Sequence, residues 1–307
     1  MQSYDIITNN IPTVIEHDHL KTKLSSIDPI TIYWGISMND IPNIDYLYNI
    51  IKIRDFLLCG IKVVILLADL HAYLQSKKKN WGIIENKCKY YTELIVQVLK
   101  LMNVDISNLF FVKGSKFQLS IDYTIKYYDL LNRVTIEDAA DSVKDISIPS
   151  EPNMVSRLIY PILQLTDEYY LKVDAEYGDY KQEKIFNLGH KINKNKNNKL
   201  TYLIGQKLNS FDISLFDDEN TIIQKIKKVY FPKNDDNNDL LKYIKYVVFP
   251  IKNNIQIKTL YSSEIYDLYN YERLHSLFVN KTIKTIDIKQ IVINFLIEFL
   301  CPIKNIK

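Results

Sequence analysis

Tyr160, Gln164 and Asp167 stand four and three residues apart in the run LIYPILQLTD (158–167), which is otherwise mostly apolar. That spacing places all three on one helical face. Polar groups on the core-ward side of an apolar helix need partners. A small ligand with several polar groups would supply them. Such a site rejects analogues strongly, because a missing ligand hydroxyl leaves buried groups unpaired. Gln182 follows in the same region. Two shorter constellations accompany this one. Tyr33-Trp34-Gly35 ends an aromatic, β-branched run, and Ala68-Asp69-Leu70-His71-Ala72 directly follows an apolar one. The first also reads as a buried aromatic corner, and Asp69 in the second also suits the cap of a following helix.

Other chemistries are poorly supplied. The chain has 7 glycines in 307 residues, and it contains neither GxGxxG nor GxxxxGK[ST]. The usual glycine-rich phosphate loops are therefore excluded. The histidines 17, 19, 71, 190 and 275 are scattered, and no Cys/His cluster has metal-ligand spacing. Covalent catalysis and a protein-held metal are not expected. Cys59, Cys88 and Cys301 are far apart and odd in number, as in an intracellular protein with reduced thiols. A net charge of +3 permits nucleic-acid binding without arguing for it. The N-terminus lacks an apolar signal segment, and no apolar run approaches the ~18 residues of a membrane helix.

The elements that must position these residues follow from the hydrophobic pattern. Residues 29–36 read as a strand, 42–59 as a helix, and 61–67 as a strand buried on both faces. A long amphipathic helix is expected from about Trp81 to Met102, then a third strand at Leu109–Val112. Strand, helix and strand in alternation predict a parallel sheet flanked by helices. Ligands in such sheets bind beyond the carboxyl ends of the strands. The polar tracts KINKNKNNK (191–199) and PKNDDNND (232–239) read as exposed loops. From Asp239 to Phe299 the pattern is mostly helical. The expectation is an α/β fold in two domains. A Rossmann-like domain with a parallel sheet spans 1–218, and a smaller, mostly helical domain spans 219–307.

Five stretches carry a family resemblance: YWGISMNDIPNIDY (33–46), RDFLLCGIKVVILLADLHAYL (54–74), FFVKGSKFQLSIDYT (110–124), LIYPILQLTDEYYLKVDAEYGDYKQEKIF (158–186) and YIKYVVFPI (243–251). In ADLHAYL and the YPxLQxxDxxxLxVD pattern the chain resembles the tyrosyl-tRNA synthetases of the eukaryotic and archaeal cytoplasmic type, from about residue 29 onward. The resemblance implies that Tyr33 and Asp167 hold the phenol hydroxyl of tyrosine. It implies that Tyr160, Gln164 and Gln182 surround the α-amino group, and that Leu66 and His71 line the pocket. The chemistry agrees: a phenol needs an acceptor and a donor, and an ammonium needs acceptors.

The resemblance also implies a nucleotide half, made of Gly35, Asn43, Asp45, Gly178 and Lys207, with Asn43, Lys207 and Ser210 as the catalytic positions. Here the chain departs from the family pattern. The first signature is Pro42-Asn43-Ile44-Asp45-Tyr46, with Asn43 for a histidine and Asp45 for a tiny residue. Asp40 and Asp179 stand where the family has glycine, and Lys181 where it has a ribose-binding aspartate. The second signature is reduced to Lys207-Leu208-Asn209-Ser210-Phe211.

The implied activity is ligation of tyrosine to tRNA(Tyr) through tyrosyl-adenylate, with ATP as substrate and Mg²⁺ carried by the ATP. The implied setting is cytoplasmic, in a homodimer joined through about residues 125–157, without membrane contact. The helical domain would read the anticodon. A second reading is a catalytically impaired paralogue that binds tyrosine or tRNA. A third, a tryptophan enzyme, leaves Asp167 facing an indole.

Overall fold

The computed structural model describes residues 2–38, 41–75, 80–146, 154–193, 199–232, 238–260 and 264–303. Asp40, most of the tracts 191–199 and 232–239, and residues 147–153 of the 125–157 segment lie outside these. The described chain forms two compact units. The first comprises Met1–Asp40, Lys52–Val96 and Asn103–Lys207, and the second Ile41–Ile51, Gln97–Met102 and Leu208–Lys307.

The first unit is built on one six-stranded sheet. Its strands are β1 (Thr13–Ile15), β2 (Thr31–Ile36), β3 (Lys62–Leu67), β4 (Leu109–Lys113), β5 (Ala175–Gly178) and β6 (Thr201–Ile204). They lie in the order β1-β6-β5-β2-β3-β4, all parallel except the edge strand β1. The three strands expected from the pattern are β2, β3 and β4. Every residue of β3 after Lys62 is buried, as expected for a strand covered on both faces. Strands β5 and β6 escaped the hydrophobic pattern because each has four residues, and AEYG carries a charged side chain. The chain runs β2, β3, β4 to one side of β2 and then returns to place β5 on the other. That makes the seam between β2 and β5 the topological switch point, where open α/β sheets bind ligands. Tyr33 and Glu176 are register partners across this seam.

The second unit is mainly helical around Ile222, Ile226, Leu241, Tyr243, Ile291 and Leu296, all buried. It also holds an antiparallel ribbon, β7 (Ile255–Lys258) with β8 (Ile265–Leu268), which the sequence pattern had assigned to helix. Residues 41–51 belong to the second unit, with the chain from Leu208 onward, although they lie early in the sequence. The reason is local pairing. Ile44 N–H bonds to the Ile213 carbonyl at 3.0 Å and Leu215 N–H to the Pro42 carbonyl at 3.0 Å, so 41–51 joins the segment after 208.

Candidate active site

Helix Val155–Leu171 carries Tyr160, Gln164 and Asp167, and all three are buried in the first unit. Asp167 is wholly buried, and its partners come from another part of the chain. Gln118 Nε2 donates to both carboxyl oxygens, at 2.8 and 3.0 Å, and the Tyr123 hydroxyl donates to Oδ1 at 2.8 Å. Gln118 follows the short turn Gly114–Lys116, and Tyr123 opens helix Ile121–Leu131 behind the Ser120 cap. Gly114 makes room for the amide, since a Cβ there would sit 2.3 Å from Gln118 Oε1. Sequence reasoning missed both donors. The signal available was that a buried carboxylate requires them.

Burial raises the Asp167 carboxyl from 3.8 to about 8, with the Gln118 and Tyr123 hydrogen bonds pulling the other way. The unfolded chain therefore releases this proton near 3.8, while the folded chain keeps it to about 8. Across that interval the folded state holds the extra proton, so stability falls as pH rises. His71 works oppositely but only at lower pH, because burial depresses it from 6.5 to about 4. Above pH ~6.5 the carboxyl effect stands alone of the two. Calorimetric melting between pH about 6.5 and about 8.5 should show a fall in wild type that is shallower in Asp167→Asn. Equal slopes would remove Asp167 as the cause.

Tyr33 packs with Leu66, Ala68, Phe117, Tyr123 and Leu163 in one buried cluster. Its hydroxyl lies over Gly35, where a Cβ would approach to 2.6 Å. It is the register partner of Glu176 on one side and packs in the same cluster as Tyr123 on the other. It makes no hydrogen bond to Asp167 among the described residues; Gln118 and Tyr123 take that role. His71 meets the Tyr160 ring edge-on at 4.8 Å, and its depressed pKa leaves it uncharged at neutral pH. Asp69 bonds the Leu70 and Ser115 N–H groups at 2.9 and 2.8 Å, so it joins the helix start to the next loop.

The other polar end is a chain of amides and carboxyls. Gln182 Nε2 donates to Gln164 Oε1 at 3.4 Å, and Gln164 Nε2 donates to Glu176 Oε1 at 2.8 Å. The charge of Glu168 acts on Glu176, and Glu168 Oε2 accepts from the Tyr202 hydroxyl at 2.9 Å. Burial raises both glutamates above the usual carboxyl range. Neither glutamate was singled out from the sequence. Gly178 makes room for this network: a Cβ there would lie 2.2 Å from Gln182 Oε1 and 2.6 Å from Phe186 Cζ. The structure thus brings Tyr33, Leu66, His71, Tyr160, Gln164, Asp167 and Gln182 into one neighbourhood.

The positions of the implied nucleotide half divide between the units. In the first, Lys207 Nζ stands 5.4 Å from the Tyr180 ring centroid, and Lys181 Nζ 5.9 Å from the same centroid. Asp179 caps the turn Tyr180–Gln182, its carboxylate accepting from Lys181 N–H at 2.8 Å. In the second unit, Asn43 Oδ1 accepts from Asp45 N–H at 3.2 Å. The Tyr243 hydroxyl, raised first by burial and then by the Asp45 charge, donates to the Ile44 carbonyl at 3.3 Å. Ser210 sits in a turn closed by Ile213 N–H to its carbonyl at 2.9 Å. Among the described residues no group of three or more His, Cys, Asp or Glu side chains is placed to hold a metal ion.

Comparison with known proteins gives one consistent answer. The family profile described as "tRNA synthetases class I (W and Y)" matches residues 26–301. The cytoplasmic tyrosine–tRNA ligase of Danio rerio is 36% identical over 242 residues, covering 75% of this chain and 46% of the relative. The probable cytoplasmic tyrosine–tRNA ligase of Encephalitozoon cuniculi is 35% identical over 242 residues, covering 75% and 72%. A solved tyrosyl-tRNA synthetase of Archaeoglobus fulgidus, complexed with L-tyrosine, superposes with a TM-score of 0.88 at 25% identity, covering 97% of both chains. The chain spans about half the length of several animal relatives that it matches.

Proposed function

Because the chain belongs to the class I tRNA synthetases for tryptophan and tyrosine, we propose that it is a tyrosine–tRNA ligase. It would activate tyrosine with ATP to tyrosyl-adenylate and transfer it to tRNA(Tyr). The observation that carries tyrosine over tryptophan is the fully buried Asp167 with its hydrogen bonds from Gln118 and Tyr123. Such an acid suits a phenol hydroxyl, which donates to it, and wastes the pairing on an apolar ring edge.

In this reading the substrate phenol lies toward Tyr33 and Asp167. Its α-ammonium faces Tyr160, Gln164 and Gln182, and Leu66 and His71 line the ring. An uncharged His71 adds no repulsion toward the ammonium. The tyrosine carboxylate attacks the α-phosphorus of ATP; the new O–P bond forms as the bond to pyrophosphate breaks. No protein nucleophile is needed, so catalysis is positioning and charge stabilisation. Lys207 supplies positive charge to the leaving pyrophosphate, Ser210 and Asn43 contribute hydrogen bonds, and Gly35, Gly178 and Asp45 border the nucleotide. Mg²⁺ arrives with ATP.

The C-terminal helical part, 219–307, is assigned to the anticodon and 1–218 to catalysis. A homodimer is supported by a run of exposed apolar side chains, Leu119, Ile121, Ile125, Tyr128, Ile136 and Val155, around the 125–157 segment. The cytoplasmic relatives support a cytoplasmic setting. Among the described residues no helix is long and apolar enough to cross a membrane.

Asp45 and Lys181 favour the second reading, a tyrosine- or tRNA-binding module without activation. Tyrosine-dependent exchange of pyrophosphate into ATP separates the two. The expected result is exchange that requires tyrosine. Tyrosine binding without exchange at high enzyme concentration would establish the binding module instead.

A further inference from the structure

The buried carboxyl pair Glu168–Glu176 lies directly behind Gln164, and nothing in the reaction described above uses it. Its hydrogen-bond accounting is closed by one proton. Glu168 Oε2 accepts from Tyr202, and Glu176 Oε1 accepts from Gln164. The remaining oxygens, Glu168 Oε1 and Glu176 Oε2, are buried without a hydrogen-bond partner among the described residues. Burial raises both carboxyls, and the Glu168 charge raises Glu176 further, so the pair holds on to a proton. A proton on Glu176 Oε2, shared with Glu168 Oε1, satisfies both. Glu176 Oε1 is then left as a pure acceptor.

This decides which way Gln164 faces. A glutamine amide has a donor end and an acceptor end, and only the donor end matches Glu176 Oε1. The carbonyl is turned the other way, where it already accepts from Gln182 Nε2. An ammonium is all donor, so a carbonyl attracts it and an amide NH₂ repels it. Glu176 sits at the β2–β5 switch point opposite Tyr33, and its carboxyl is wholly buried. Its hydrogen bond toward the amine end of the site is the one from Gln164.

We propose that Glu176, clamped by Glu168, is a positioning residue that fixes the Gln164 amide with its carbonyl toward the α-ammonium of bound tyrosine. This rests on the tyrosine-site reading given above. The test is equilibrium binding of L-tyrosine and of 3-(4-hydroxyphenyl)propanoate, which lacks the amine, to wild type, Glu176→Leu and Glu176→Gln. Glu176→Leu should weaken tyrosine by about tenfold or more, the scale of one hydrogen bond to a charged group, and change the amine-free analogue little. Glu176→Gln should bind tyrosine as wild type does, because its carbonyl still accepts from Gln164 and its NH₂ donates to Glu168. Equal losses for both ligands in Glu176→Leu, or no loss at all, would overturn the proposal. So would a tenfold loss in Glu176→Gln, an arm that decides the matter even if Glu176→Leu fails to fold. Absence of tyrosine binding in wild type is a separate outcome, which overturns the tyrosine-site reading itself and this proposal with it.

Discussion

Asp167→Ala is expected to lower the preference for tyrosine over phenylalanine by about 100-fold, the scale of leaving a buried polar group without its partner. Tyrosine should lose nearly all of that affinity, and phenylalanine should change only a few-fold. The physical reason is the asymmetry of buried pairing. In wild type, phenylalanine leaves the Asp167 carboxyl without the partner that it was desolvated to meet, so the site rejects it. In the variant there is no carboxyl to leave unpaired, and the two ligands differ mainly in the phenol's own desolvation. The variant also removes the acceptor of Gln118 Nε2 and one of the two acceptors of the Tyr123 hydroxyl, which keeps the Leu163 carbonyl at 3.0 Å. Some stability is lost with them, and melting should be followed in parallel. Asp167→Asn is the milder companion: it keeps an acceptor oxygen for Tyr123 and the shape of the side chain. Isothermal titration with both amino acids reads the result. Equal weakening of both would remove Asp167 from phenol recognition.

Lys207→Ala should reduce tyrosine-dependent pyrophosphate exchange by about 100- to 1,000-fold in kcat, the usual cost of removing one group that stabilises transition-state charge. Tyrosine affinity should stay within a few-fold of wild type. Lys207 is the only cation of the segment Lys207-Leu208-Asn209-Ser210-Phe211, so no neighbour in that loop replaces it. Its ammonium stands beside the Tyr180 ring and makes no ion pair among the described residues, which leaves its charge available to an anionic ligand. Lys181 flanks the same ring and gives the region a second positive charge. If kcat is unchanged and only the Michaelis constant for ATP rises, Lys207 contributes ground-state binding and not transition-state stabilisation.

The substitutions that set this chain apart from its family pattern differ in what they do locally. Asp179, in place of a glycine, caps the turn that carries Gln182, so it supports the amine end of the site. Asp45 receives a backbone-anchored place beside Asn43, and its charge acts on Tyr243. Lys181 is exposed and rests on Tyr180. Gly35 and Gly178 are kept where any Cβ would strike Tyr33 or Gln182. The amino-acid side of the site is thus held by packing that tolerates little change.

Several features were settled by consecutive residues alone. The helical face bearing Tyr160, Gln164 and Asp167, the doubly buried β3 and the alternation of β2, β3 and β4 with helices all follow from local periodicity, which is a property of neighbours in the chain. The family motifs likewise lie within short runs. Tertiary structure alone decided the partners. Gln118 and Tyr123 reach Asp167 across 49 and 44 residues of chain. Glu176, in a four-residue strand that no periodicity announces, accepts from the Gln164 amide at 2.8 Å. The physical reason is that burying a polar group creates a demand for a donor or an acceptor without saying which distant residue meets it. The chain's periodicity placed Asp167 inside, and only the fold chose the hydrogen bonds that keep it there.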